Sequence, residues 1–273
     1  MFFKFLDTKN IMIDGLIPVS GGHSITRVIA TIFIPQSFLK PEDTFDKVKD
    51  LVSFSTYQKK TIIKPTTISI KNNSLGVTSD QVSGFLFEEY DVDGRLKNIF
   101  KVENIRENQS VITLENRVYS NWLDFKERFI NDVKVLSEKI DLYVDAISLT
   151  YVNEFRWIKS EKIDVNSIFN SESELLNKKF RDSKNGTLIL ISQGLEDKYS
   201  CEEKTEVSFN NDVKRIAMSH QYGIKLNNLE LFNTINENKE FSLYYDKAYN
   251  ANKEILFDVL SEESQKMINL KNK

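Results

Sequence analysis

The chain has 273 residues, 37 Lys and Arg against 40 Asp and Glu, and 40% hydrophobic residues that include 19 Phe and 10 Tyr. That composition supports a globular protein with a sizeable core, and a formal charge of −3 argues against a dominant phosphate-binding surface. One cysteine, Cys201, excludes an intramolecular disulfide framework and a cysteine-based zinc site, which fits a reducing cytoplasm, and no apolar run approaches the roughly 18 residues of a membrane span.

In chain order, 11–13 is a candidate edge strand and Ser20-Gly21-Gly22 a turn. Residues 25–35 carry apolar side chains on both faces, which predicts a central, well covered strand. Pro41-Glu42-Asp43 opens a helix over 41–54, with acids at the positive end of its dipole. The β-branched stretch 61–71 reads as a strand and Asn72-Asn73-Ser74 as a turn. Strands at 84–90 and 96–102 are joined by Asp93-Gly94, a pair suited to a tight hairpin, and 110–114 supplies a third strand. From 119 to 140 the period becomes helical, with Trp122, Phe125, Phe129, Val133, Leu136 and Ile140 on one stripe. A strand over 144–155 follows.

Further along, 164–169 reads as a loop or a single helical turn and 173–180 as a short helix. Residues 187–192 form an apolar strand, and strands at 206–209 and 215–222 are joined through Asn210-Asn211-Asp212. Residues 240–245 have period-two character, and 246–270 reads as a second long helix whose face carries Ala248, Ala251, Ile255, Val259 and Met267, widened by Leu256 and Leu260. Runs of neighbouring strands exclude a strictly alternating parallel design, so the expected class is α+β: antiparallel sheet with long amphipathic helices packed on one face. Residues 85–140 and 188–270 both read as a meander followed by a helix. A single unit over 1–273, divided near 157–186 into two similar halves that share or abut a sheet, is the expected organisation.

Two histidines, His23 and His220, are too few for a histidine-rich metal site. Asp91-Val92-Asp93-Gly94 lacks the later ligands of a calcium loop and reads as a hairpin turn. Cys201 with His220 would be a nucleophile pair, but no glycine-rich turn surrounds the cysteine. Glu202 and Lys204 have the spacing that metal-dependent nucleases and phosphodiesterases use to hold a cation and orient water. Such chemistry needs a further acid on an adjacent strand, and Asp197 reads as part of a polar loop. The basic clusters Lys59-Lys60, Lys178-Lys179-Phe180-Arg181 and Arg156-Trp157-Ile158-Lys159 are better explained as solvated faces with buried aromatic anchors than as a nucleic-acid surface. Tyr119, Tyr151 and Asn153 fall where a helix start meets a strand, either as core hydrogen bonds or as the lining of a pocket. With Arg156 and Trp157 they are the candidate binding residues.

Three motifs, Gly84-Phe85-Leu86-Phe87, Tyr119-Ser120-Asn121-Trp122-Leu123-Asp124-Phe125 and Leu149-Thr150-Tyr151-Val152-Asn153, resemble in order and spacing a sporadically distributed family of uncharacterised bacterial and archaeal proteins. That family has a Gly-aromatic strand, a Tyr-x-x-Trp-x-x-Phe helix start and a Leu-Arg-Tyr-x-Asn strand. Here Thr150 replaces the arginine and Glu154 a frequent basic residue. The resemblance supplies no catalytic residue, while patchy distribution implies an accessory role such as phage defence or toxin immunity. The expectation is a non-catalytic binding or interaction protein with a protein partner, no cofactor and no bound metal.

Overall fold

The computed structural model describes residues 13–71, 74–79 and 81–270. Its first elements are β1 (Leu16–Pro18), β2 (Ile25–Ile34), α1 (Pro41–Val48), β3 (Lys59–Ile63), β4 (Thr66–Lys71) and β5 (Ser74–Ser79). There follow β6 (Gly84–Tyr90), β7 (Leu96–Arg106), β8 (Gln109–Asn116), α2 (Trp122–Ser137) and β9 (Tyr143–Trp157). The remainder comprises α3 (Val165–Ile168), α4 (Lys178–Arg181), β10 (Asn185–Leu195), β11 (Tyr199–Asn210), β12 (Arg215–Leu231), α5 (Phe232–Glu237), α6 (Glu240–Val259) and α7 (Glu262–Met267).

Ten strands form one antiparallel sheet in the order β10-β11-β12-β9-β2-β8-β7-β6-β3, with β1 paired to the end of β9. β4 and β5 make a separate two-stranded hairpin. The protein is therefore α+β with a large antiparallel sheet. One connection pattern occurs twice along it. β2 leads through α1, the edge strand β3 and the β4-β5 hairpin to the meander β6-β7-β8 and then α2; β9 leads through α3 and α4 to the meander β10-β11-β12 and then α5 and α6. In each stretch the last meander strand returns to pair with the opening strand, β8 with β2 and β12 with β9. The two opening strands pair with each other at the centre of the sheet.

Period-two patterning decides what each strand buries. On β2, Val28, Ala30, Ile32 and Ile34 are fully buried, while Ile29, Thr31 and Phe33 are half-buried and Arg27 is exposed. β2 is thus central, but one of its faces carries the burial. Val28, Ala30 and Ile32 join Phe85, Phe87, Phe129, Leu136 and Tyr245 in a first core cluster. A second cluster gathers Phe155, Trp157, Phe169, Phe180, Phe209, Met218, Leu256 and Val259. Two glycines are dictated by geometry. At Gly84 a Cβ would fall on the carbonyl oxygen of Val102, so β6 and β7 approach too closely for any side chain, and Gly94 takes φ +76° in the hairpin turn.

Several elements differ from the sequence expectation. The helix expected over 41–54 ends at Val48 and is followed by a 3-10 turn, Val52–Phe54. The strand expected over 61–71 divides at Lys64-Pro65, because proline cannot donate to the ladder. The expectations at 11–12 and at Asn72-Asn73 lie outside the described residues. Residues 240–245 are the start of α6 and not a strand: Phe241 and Tyr245 are buried, but Leu243, between them, is 62% exposed on the outer side of the helix. The long terminal helix stops at Val259, where Leu260 turns extended and bridges to Phe169, and Ser261 caps α7.

One polar network lies within the first cluster. Asp132 accepts hydrogen bonds from the Tyr57 hydroxyl at 2.5 Å and Arg128 Nε at 3.1 Å, and Arg128 also pairs with Glu89 at 3.2 Å. Burial raises the Asp132 carboxyl to about 6, against the pull of Arg128 and Tyr57. The folded state holds this proton more tightly than the unfolded state, so the group favours folding below its ordinary value of 3.8 and loses that contribution as pH rises through 6. The expected size is roughly 3 kcal/mol. In urea titrations between pH 4 and 7, Asp132→Asn should lack that loss, so the stability difference between variant and wild type should shift in the variant's favour as pH rises; a pH-independent difference contradicts the assignment.

Candidate ligand-binding site

A belt of uncharged polar side chains divides the two core clusters. Along β9, Tyr151 belongs to the first cluster and Phe155 to the second, with Asn153 between them. On β12 His220 lies between Tyr222 and Met218, and on α6 Asn252 lies between Ala248 and Leu256. Asn153, His220 and Asn252 are each no more than 3% exposed. The pairing register keeps the belt continuous, since His220 lies opposite Tyr151 on one side and opposite Thr205, also buried, on the other.

Local irregularity aims the groups at one end of this belt. The β2–β9 register slips between Ile25 and Arg27, leaving Thr26 as an extra residue. Such a bulge re-aims the neighbouring side chains, and here the Ser24 hydroxyl donates to Asn153 Oδ1 at 2.8 Å, both groups being about 1% exposed. Beside them is a cavity of about 440 Å³, within the range of small-molecule sites, where β2 and β9 meet the start of α2, the middle of α6 and residues 268–270.

Aromatic rings line this cavity. Tyr119 and Tyr151 meet edge to face with centroids 5.8 Å apart, and their hydroxyls are 3.5 Å apart. Tyr151 leans on Tyr249 at 6.2 Å, and Tyr249 stacks on Trp122 at 4.9 Å with 6° between the planes. Trp122 Nε1 donates to Asp246 Oδ1 at 2.7 Å, which locks the stack, and Lys253 Nζ sits 5.1 Å from the Tyr249 ring. Burial pushes the Tyr119 hydroxyl up to about 12 and holds Tyr151 well above its ordinary value, so both remain neutral phenols.

The histidine and the asparagine at this site each have an unanswered acceptor. His23 Nε2 lies 2.9 Å from the Tyr119 carbonyl oxygen. A carbonyl can only accept, so Nε2 carries the hydrogen and Nδ1 of the neutral ring is an acceptor. That Nδ1 and Asn252 Oδ1 are both buried without a hydrogen-bond partner. Deeper in the belt, both His220 nitrogens are also unpartnered, and the nearest carboxylate oxygen, Glu203 Oε2, is 3.8 Å away, beyond hydrogen-bond reach. Burial lowers His220 to about 4.

Of the residues singled out in the sequence, Tyr119, Tyr151 and Asn153 all line this cavity. Arg156 and Trp157 do not join them. Arg156 is exposed and paired in register with Arg215 and Ile17, while Trp157 is buried in the second cluster with Nε1 donating to the Glu161 carbonyl. Glu202 and Lys204 lie on β11, which begins at Tyr199 and not near residue 206. Glu202 Oε2 accepts from Gln193 at 3.0 Å, and Asp197 lies in the β10–β11 turn, where its carbonyl accepts from Asn227. Cys201 lies opposite Ile224 and His220 opposite Thr205, so the two sit at different levels of the sheet. Among the described residues no group of three or more His, Cys, Asp or Glu side chains is placed to hold a metal ion, and no helix is long and apolar enough to cross a membrane.

His23, Tyr249 and Asn252 are among the cavity residues that the sequence does not connect with the motif residues. The signal for Asn252 was a polar residue inside an apolar helical stripe. The buried stripe of α6 runs through Phe241, Tyr245, Ala248, Asn252, Leu256 and Val259; Ala248, Leu256 and Val259 stand on the face expected from the sequence, while Ala251 and Ile255 are only half-buried at its side. No family model, curated protein or solved structure matches the chain. Asn153→Ala should cost about 1–3 kcal/mol in urea denaturation, because it strands the buried Ser24 hydroxyl; an unchanged midpoint would show that this hydrogen bond contributes nothing.

Proposed function

We propose that this chain is a binding protein and not a catalyst, and that the cavity at the end of the polar belt holds a small, flat, uncharged ligand presenting N–H donors. The observation that carries the reading is the pair of buried, unanswered acceptors, His23 Nδ1 and Asn252 Oδ1, at a cavity walled by four aromatic residues. A buried acceptor without a donor costs about 1–3 kcal/mol, which a ligand N–H would recover by drawing the side chain, whose acceptor is closed to solvent, toward the cavity. The stacked and edge-on rings favour a flat apolar body, and the neutral tyrosines disfavour a charged one.

The titratable groups also fit binding better than catalysis. Asp132, whose carboxyl is raised toward neutrality, is spent in its network with Tyr57 and Arg128, while His220 is held low and lies deep in the belt. Within the wider reading, the helices cover one face of the sheet and leave the face carrying Arg27, Ile29, Thr31 and Phe33 open; the two similar connection patterns are two related halves; and a protein partner and a cytoplasmic location complete the picture. A role in phage defence or toxin immunity stays an implication of the motif resemblance alone.

The test is a melting-temperature and tryptophan-fluorescence screen against free purine and pyrimidine bases and aromatic carboxamides. At least one member should raise the melting temperature and change the Trp122 emission. Asn252→Leu, which keeps the branched shape and removes the acceptor, should weaken that binding roughly 10-fold or more, equivalent to about 1.4 kcal/mol. A flat screen, or affinity unchanged in both Asn252→Leu and His23→Ala, contradicts the reading.

A further inference from the structure

The two edges of the ten-stranded sheet are built differently. At one edge, β3 is five residues long, begins with Lys59-Lys60 and is closed off by Lys64-Pro65. Short length, lysines and proline are the devices that keep an edge strand from pairing with another chain. At the other edge, β10 runs for 11 residues, Asn-Gly-Thr-Leu-Ile-Leu-Ile-Ser-Gln-Gly-Leu, without a charge or a proline. It pairs with β11 from Asn185 to Leu195 without a register shift, so no bulge twists the edge away. Ile189, Leu190 and Ile191 at its middle are 54%, 41% and 58% exposed. Along this strand every second N–H and C=O points away from β11.

The face of β10 that carries Thr187, Ile189, Ile191 and Gln193 is also self-complementary about Leu190. A twofold axis normal to the sheet keeps each face on its own side, so residues that meet across it must share parity. Gly186 faces Phe180 and Phe209 of the second core cluster, which puts Leu188, Leu190 and Ser192 on that face and Thr187, Ile189, Ile191 and Gln193 on the opposite one. With the axis at Leu190, Ile189 meets Ile191 of the second copy, Thr187 meets Gln193 and Gly186 meets Gly194. Apolar then meets apolar at Leu190 and at Ile189 with Ile191, polar meets polar at Thr187 with Gln193, Leu188 falls opposite Ser192 and Asn185 opposite Leu195, and no charge is buried anywhere along the strand.

We propose that β10 is an isologous interface, at which two copies of this chain pair antiparallel through Asn185–Leu195 and join their sheets into one. The proposal is independent of the ligand reading above. It has a consequence for the face bearing Thr187 and Gln193. A concavity of about 580 Å³ is lined by Asn185 and Thr187 with Arg27, Glu154 and Arg215, and one of about 660 Å³ by Gln193 and Leu195 with Phe33 and Lys225. Thr187 of one copy opposite Gln193 of the other brings the first hollow of each subunit beside the second hollow of its partner, giving two clefts that each cross the interface.

Sedimentation equilibrium of the full chain tests this. Wild type should sediment at twice 31.8 kDa at tens of micromolar. The double variant Ile189→Lys, Ile191→Lys should sediment as a monomer with an unchanged circular-dichroism spectrum, because both side chains are exposed in the single copy and face like charges in the pair. Mixing it with Ile189→Glu, Ile191→Glu should restore a mixed dimer, which non-specific association through exposed apolar residues would not do. A wild-type monomer, a lysine variant that remains dimeric, or lysine and glutamate variants that stay apart when mixed would each overturn the proposal.

Discussion

The antiparallel pairing of β2 with β9 is the constraint from which the rest of the molecule follows. Each of these strands opens one run of strand, helices, meander and helix, and each receives the last strand of its own meander on its outer side. Joining them places two three-stranded meanders in one sheet and brings α2 and α6, which follow those meanders, into contact over the shared core. The same pairing fixes which residues meet at its end. The slip at Thr26 is one residue in length, yet in a structure whose side chains alternate with period two it decides whether Ser24 addresses Asn153.

Two treatments of buried polarity coexist in this core. Around Asp132 the carboxyl, the phenol, the guanidinium and Glu89 all find partners, and the network links α2 to Tyr57 and to Glu89 on β6 while burial still makes ionisation of Asp132 costly. Along the belt between the clusters the groups are uncharged, and several acceptors are left without donors. An apolar side chain at 252 or 220 would fuse the clusters and remove the desolvation cost. Each of these unsatisfied atoms carries a desolvation cost, and those at the cavity are the ones that the proposed ligand would answer.

How much of this was legible in the sequence depends on how local the determining pattern is. The Asp93-Gly94 hairpin, the stripe from Trp122 to Leu136 and the apolar run of β2 are short-range patterns, and the elements stand where they predict. The split of the strand at Pro65 and the break of the terminal helix at Leu260 are decided respectively by a missing N–H and by a tertiary bridge to Phe169, the second of which no local window contains. The long hairpin β10-β11 was underread because Glu202, Glu203, Lys204 and Glu206 lower its apolar signal; charged residues sit comfortably there because that end of the sheet is largely exposed. At the candidate site, Tyr119, Tyr151 and Asn153 were conspicuous as polar groups at a helix-strand junction. Their companions His23 and Asn252 come from opposite ends of the chain, and contact over such a separation is set by strand order, not by sequence spacing.

Ring-nitrogen NMR reads the belt directly, since the chain has two histidines and each probes a different depth of it. With a ligand from the base and carboxamide series bound at saturation, His23 Nδ1 should move to the position of a hydrogen-bonded acceptor while Nε2 keeps its bond to the Tyr119 carbonyl and His220 stays unmoved. A bound ligand that leaves the His23 ring unchanged would contradict the assignment of this cavity as the binding site.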